Sequence, residues 1–236
     1  MQERYKNNTG TFLTVNHQKA LLTKTFAVIG LGGNGGYIAE FLARQGCKKL
    51  ILVDFDTFET SNLNRQLFCN EENLGLNKAE QAFEHLQKIN SSIEYEYYCF
   101  PFGTQDIPSM QECDMIFAAA DGNQFTAQNR AAMRKLIESN IPMIEECIWD
   151  YGAQVGIITK QYLHLFDSDT EHWLRMSQET DIPISQPAWM CALAASLAVE
   201  ECWKFFFGKG ALIGEKLVYD VNENMLHRLV NGHFVY

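Results

Sequence analysis

The apolar run Thr25–Ile29 passes without a spacer into Gly30-Leu31-Gly32-Gly33-Asn34-Gly35, and a second apolar run at 50–53 delivers Asp54, 19 residues beyond Gly35. Few folds accept that order. A short, continuous apolar run bounded by glycine reads as a strand buried on both faces. Between the two runs, Ile38, Phe41 and Leu42 recur at helical spacing over 37–44. Strand, tight turn, helix and strand in immediate succession lead to parallel pairing, and parallel sheets need helices on their faces.

The alternation continues down the chain. Ala79, Ala82, Phe83, Leu86 and Ile89 recur at three and four residues, which predicts a helix over 77–89. Ile93, Tyr95, Tyr97 and Cys99 alternate as in a half-buried strand. A buried strand is expected over 114–120, ending in Asp121, with a helix at about 125–138 and a strand at about 142–148. The fold class is therefore α/β, a doubly wound, mostly parallel, Rossmann-like sheet. After Asp150 the rhythm changes. Residues 154–159 read as a strand, 161–187 show no clear period, and 188–207 read as a helix. Residues 216–220, 225–230 and 233–236, separated by Asn222-Glu223-Asn224 and Asn231-Gly232, predict a terminal antiparallel extension. His164, Asp167, Asp169 and His172 in the aperiodic stretch match no standard metal spacing and read as solvated loop.

Ligands of such sheets sit at the carboxyl ends of the strands, where the glycine loop, Asp54 and Asp121 are all expected. Gly30, Gly32, Gly33 and Gly35 would let the backbone approach a phosphate and turn into a helix whose free N–H groups face the anion. Asp54, with Asp56 two residues on, lies where a ribose is bound. Ser61-Asn62-Leu63-Asn64-Arg65-Gln66, with Lys78 behind it, adds guanidinium, amide and ammonium donors that hydride transfer does not need there. Cations on the phosphates suit attack at the α-phosphorus of ATP, where charge develops on transferred and leaving oxygens. Lys78 opens a predicted helix, the end of the dipole that disfavours a cation, so its placement suggests that it answers an anion. Asp121 suits Mg²⁺, which takes one or two carboxylates with phosphates and water, or the N-cap of the next helix, and the two roles are compatible.

Composition narrows the classes. A length of 236 residues bounds one large domain with a substantial core. The net charge of −10 argues against broad attachment to nucleic acid or an anionic membrane. The first residues lack the apolar core of a secretion signal, and the apolar stretch 190–207 is broken by Glu200, Glu201 and Lys204, so a packed helix is expected rather than a span. Seven cysteines include no Cys-x-x-Cys pair, which favours a reducing cytoplasm.

These motifs together resemble the ThiF/MoeB/HesA family of adenylating enzymes, bacterial relatives of the ubiquitin-activating enzymes. The likeness rests on Gly30-x-Gly-Gly-x-Gly, Asp54-Phe55-Asp56, Ser61-Asn62-x-x-Arg65-Gln66, Gly75-x-x-Lys78, the strand end at Asp121 and Gly152-Ala153-Gln154-Val155-Gly156. It implies one adenylation domain over 1–236, with a nucleotide-binding half over about 1–150 and a crossover loop, helix and antiparallel extension over about 151–236. It also implies a reaction: a carboxylate, typically the C-terminal glycine of a small ubiquitin-like or sulfur-carrier protein, attacks ATP and gives an acyl-adenylate and pyrophosphate. Carried over by position, Asp54 would bind the ribose, Asn62, Arg65, Gln66 and Lys78 the phosphates, and Asp121 Mg²⁺, in a cytoplasmic homodimer.

The chain departs from the family in three places. The paired Cys-x-x-Cys of many members is missing, so no structural zinc is expected, and 160–187 hold no cysteine for a thioester. Cys191 is nearest, and among Ala and Leu it reads as a buried neutral thiol. The family's N-terminal arginine falls near Asn7, with Arg4 and Lys6 beside it. Alternatives stay open at this stage. One is a dehydratase-like relative that adenylates a small-molecule, peptide or tRNA-borne carboxylate, against which the acidic balance counts. Others are an NAD-dependent oxidoreductase and a non-catalytic binding subunit.

Overall fold

The computed structural model describes residues 3–120, 127–149, 152–170, 185–230 and 233–235. Among them lie nine strands: β1 (Thr25–Ile29), β2 (Lys49–Val53), β3 (Glu94–Tyr98), β4 (Met115–Ala118), β5 (Met143–Trp149), β6 (Gly152–Ile158), β7 (Lys216–Asp220), β8 (Met225–Val230) and β9 (His233–Val235). The helices are α1 (Val15–Leu21), α2 (Gly33–Gln45), α3 (Lys78–Ile89), α4 (Ala127–Glu138), α5 (163–170) and α6 (Ala188–Phe207), with short 3₁₀ turns between some of them.

All nine strands form one sheet in the order β3-β2-β1-β4-β5-β6-β7-β8-β9. β3, β2, β1, β4 and β5 pair in parallel, and each step from β5 to β9 is antiparallel. The doubly wound parallel sheet with a C-terminal antiparallel extension is thus the fold the sequence implied. β1 has β2 on one side and β4 on the other, so the strand order reverses there. The crevice at such a switch point is where open α/β sheets bind ligands.

Each central strand serves two cores, which is why it reads as an unbroken apolar run. Phe26 and Val28 of β1, Leu50 and Leu52 of β2 and Phe117 of β4 face a cluster completed by Ile38 and Leu42 of α2, Leu86 of α3 and Ala198 of α6. Ala27 and Ile29, Ile51 and Val53, and Ile116 face the opposite cluster with Met133 and Ile137 of α4 and Phe166 of α5. At about 25 cal/mol per Å² of apolar surface, burial of this kind dominates the stabilisation.

Two regions differ from expectation. The stretch from 161 holds α5, of whose described residues, 163–170, Phe166 alone is buried. Asp167 and Asp169 are therefore not solvated loop: Asp167 pairs with Arg134 at 2.9 Å and Asp169 with Lys216 at 2.6 Å. His172 lies outside the described residues. The N-terminal segment, with no predicted structure, forms a 3₁₀ turn and α1 that are pinned to the body. Tyr5 is buried, its hydroxyl accepts from Asn90 Nδ2 at 3.0 Å, and Gln18 donates to Gln45 O at 2.7 Å. Arg4 donates to Asn90 and to Ser92, so its guanidinium ties this segment to the end of α3.

Candidate functional site

The glycine loop crosses from β1 into α2 at the switch point. Gly30 has φ +91°, a left-handed value that a side chain resists, and a Cβ on it would lie 2.6 Å from Ala120 N. A Cβ on Gly35 would stand 1.8 Å from Gly30 O, so the loop closes on itself only with hydrogen at that position. α2 begins at Gly33, inside the glycine motif rather than at Tyr37, and presents its unpaired first N–H groups at the carboxyl edge of the sheet.

β2 delivers the acids. Asp54 is buried, its Oδ2 accepting from Leu31 N at 2.6 Å and its Oδ1 from Asp56 N at 2.9 Å. It therefore braces the glycine loop. Burial pushes its carboxyl up, against the pull of the two backbone N–H groups and of Lys78. Asp56 is more open and pairs with Lys78 Nζ at 3.3 Å.

Lys78, the first residue of α3, is 6% exposed, and its own N–H reaches Asp56 O at 2.9 Å. Within the chain, Asp56 is the anion that this awkwardly placed cation answers. Asn77 makes the arrangement possible. Its side chain caps α3 by accepting from Ala79 N and Glu80 N, and its amide donates to Asp54 O at 3.2 Å and Asp56 O at 3.1 Å. Sequence reading placed Asn77 at the helix start and missed this anchoring. The signal was an Asn before a helical period.

Asn62 closes a 3₁₀ turn by exchanging side-chain and backbone hydrogen bonds with Glu59, and its carbonyl receives Arg65 N at 3.1 Å and Gln66 N at 2.9 Å. That turn sets the next two side chains over the glycines. The position a Cβ would take on Gly32 is 3.6 Å from Gln66 Nε2, and that on Gly33 is 3.7 Å from Arg65 Cγ and Cδ. Gln66 is 7% exposed, and its Oε1 has no hydrogen-bond partner among the described residues. A buried amide oxygen left open beside a backbone loop marks a place where a polar ligand group belongs. Rotated by half a turn, the same amide would present N–H donors instead. Arg65 Nη1 donates to Ser61 O and Asn64 Oδ1, both at 3.0 Å, and its Nε to Gln186 Oε1 at 3.2 Å. Among the described residues its partners are all neutral, and no acid there pairs with it. A cleft of about 430 Å³ lined by Asn64, Arg65, Ser185, Gln186 and Pro187 opens beside it.

The structure thus brings Gly30, Gly32, Gly33, Gly35, Asp54, Asp56, Asn62, Arg65, Gln66 and Lys78 to one edge of the sheet. Asp121, expected to hold Mg²⁺, lies outside the described residues. Among the described residues no three His, Cys, Asp or Glu side chains form a metal cluster, and no helix is long and apolar enough to cross a membrane. Glycines that admit a close ligand, an open buried amide and a guanidinium whose described partners are neutral fit a nucleotide phosphate chain.

Comparison with known proteins gives the same direction. The profile of the ThiF family matches residues 5–232. A ubiquitin-like modifier-activating enzyme 5 of Caenorhabditis elegans is 32% identical over 143 residues, covering 61% of this chain and 30% of that protein. The adenylyltransferase and sulfurtransferase MOCS3 of Xenopus laevis is 34% identical over 110 residues, covering 46% and 24%. The chain matches less than a third of the length of either relative. A crystal structure of E. coli MccB with ATP superposes with a TM-score of 0.75 at 20% identity, covering 99% of this chain and 73% of that one, a likeness of fold.

Proposed function

The chain belongs to the ThiF family, and from that premise we propose that it adenylates a carboxylate with ATP, releasing pyrophosphate. The observation that carries the proposal is the pairing of Arg65, whose described partners are all neutral, with the open buried amide of Gln66 over the glycine loop. In this reading the loop takes the phosphates at the start of α2, Asp54 and Asp56 take the ribose hydroxyls, and Asn62 sets the turn that aims Arg65 and Gln66. Lys78 and Arg65 hold the phosphate oxygens as charge shifts from the α-phosphorus to the departing pyrophosphate. No side chain need act as a nucleophile, because the incoming carboxylate attacks directly. Mg²⁺, held by Asp121, would supply further charge neutralisation at the phosphates.

The substrate class proposed is the C-terminal glycine of a small ubiquitin-like or sulfur-carrier protein. Named relatives that activate ubiquitin-like modifiers support it. A cytoplasmic homodimer belongs to the same reading. None of the seven cysteines is in a disulfide, as a reducing compartment would have it, and sedimentation at twice the chain mass checks the dimer.

The deciding experiment is ATP–pyrophosphate exchange with and without Gly-Gly-tailed ubiquitin-like proteins. Carrier-dependent exchange is expected, falling by about a hundredfold in Lys78→Ala or Arg65→Ala, each of which removes one charge-stabilising donor. A chain that does not bind MgATP at all would overturn the proposal.

A further inference from the structure

Arg65 is held from two directions. Nη1 is tied to Ser61 O and Asn64 Oδ1, within its own loop. Nε is tied to Gln186 Oε1, 121 residues along the chain. A guanidinium is planar, so fixing Nε and Nη1 fixes the whole group. No described residue takes Nη2.

Gln186 reaches Arg65 because of how α6 begins. Pro187 is the N-cap, and its carbonyl receives Met190 N at 2.9 Å and Cys191 N at 3.2 Å. This first turn lies directly on the phosphate loop. A Cβ on Gly33 would stand 2.8 Å from Cys191 Sγ, closer than carbon and sulfur can approach, so the bare backbone of Gly33 lets the turn seat there. The seated turn sets Gln186 beside the stem of Arg65, which lies against the same glycine. The acceptor is an amide, which orients the cation and leaves its charge available. A carboxylate at that position would cancel it.

We propose that Gln186 is a positioning residue for nucleotide binding: it latches the start of α6 to Arg65 and holds the guanidinium plane beside the glycine loop, with Nη2 left for a phosphate oxygen. This rests on the adenylation reading above and adds a residue from the second half of the chain to a site otherwise built by the first.

The test is a double-mutant cycle read by calorimetric titration with MgATP. Gln186→Met keeps the length of the side chain and removes the acceptor. It should weaken MgATP binding roughly threefold to tenfold, the size of a typical net hydrogen-bond contribution, since the lost bond acts on the nucleotide only through Arg65. In an Arg65→Ala background the same change should cost nothing further, and the melting temperature without nucleotide should not move. Equal losses in both backgrounds would show that Gln186 does not act through Arg65, and an unchanged affinity in Gln186→Met would show that it does not position the site. Either overturns the latch. An Arg65→Ala variant that binds MgATP as well as the parent would instead overturn the phosphate role of Arg65, and with it the reading on which the latch rests.

Discussion

Gly35 carries the sharpest steric requirement in the site, since its Cβ position lies 1.8 Å from Gly30 O. A methyl group there forces the loop open. Gly35→Ala is expected to cost about 2 kcal/mol of stability, in the range of overpacking a tight site, and to abolish nucleotide binding. Urea unfolding and MgATP titration check the two effects separately. At this scale much of the site was legible in the sequence, because glycine spacing, the acid after β2 and the Asn-Arg-Gln run are local patterns. The Nε partner of Arg65 was not. Gln186 is separated from it by an entire half-chain, and no local pattern links an amide before a proline to an arginine in an early turn. Asp54 showed only half of its behaviour in the sequence: its position was readable, but its grip on Leu31 N depends on how the loop folds back.

Among the elements, the β2–β3 pair carries a polar cluster away from the site. Lys49 is 5% exposed and pairs with Glu96 at 2.6 Å and Glu94 at 3.2 Å. Burial pushes the Glu96 carboxyl up, but Lys49 and the hydroxyls of Ser109, at 2.5 Å, and Tyr98, at 2.9 Å, outweigh it, and the net position is below the usual carboxylate range. A carboxyl lowered by folding contributes stability that is complete above its unfolded value near 4.5 and is lost as pH falls through the lower folded value. Glu96→Gln should therefore be less stable than the parent by about 1 kcal/mol at neutral pH, with the difference closing in acid, once the carboxyl is protonated in the folded chain as well. Urea midpoints at neutral and acid pH check it. Long elements with sustained periods, such as α3 and α6, were readable from the sequence, whereas α5 and the N-terminal turn each bury one large side chain, Phe166 and Tyr5, that no period announces, and are otherwise held by polar contacts to distant residues.

Over the whole molecule, the proposed function links nucleotide binding to folding, because the loop, the β2 acids and the start of α6 meet only in the folded chain. MgATP at a hundred times its dissociation constant should stabilise the protein by about 2.7 kcal/mol, and Arg65→Ala should lose most of that gain at the same concentration. Thermal melting with and without MgATP reads both. The doubly wound half and the antiparallel extension share one sheet, and α6 crosses back from the second to lie on the first. The seam between them is closed by a sulfur atom against bare backbone, and sulfur brings its own reactivity. While α6 is seated, Cys191 is fully covered and beyond the reach of alkylating reagents. Alkylation of Cys191 would therefore require the start of α6 to leave the glycine loop, so its protection from reagent reports the seating of that turn.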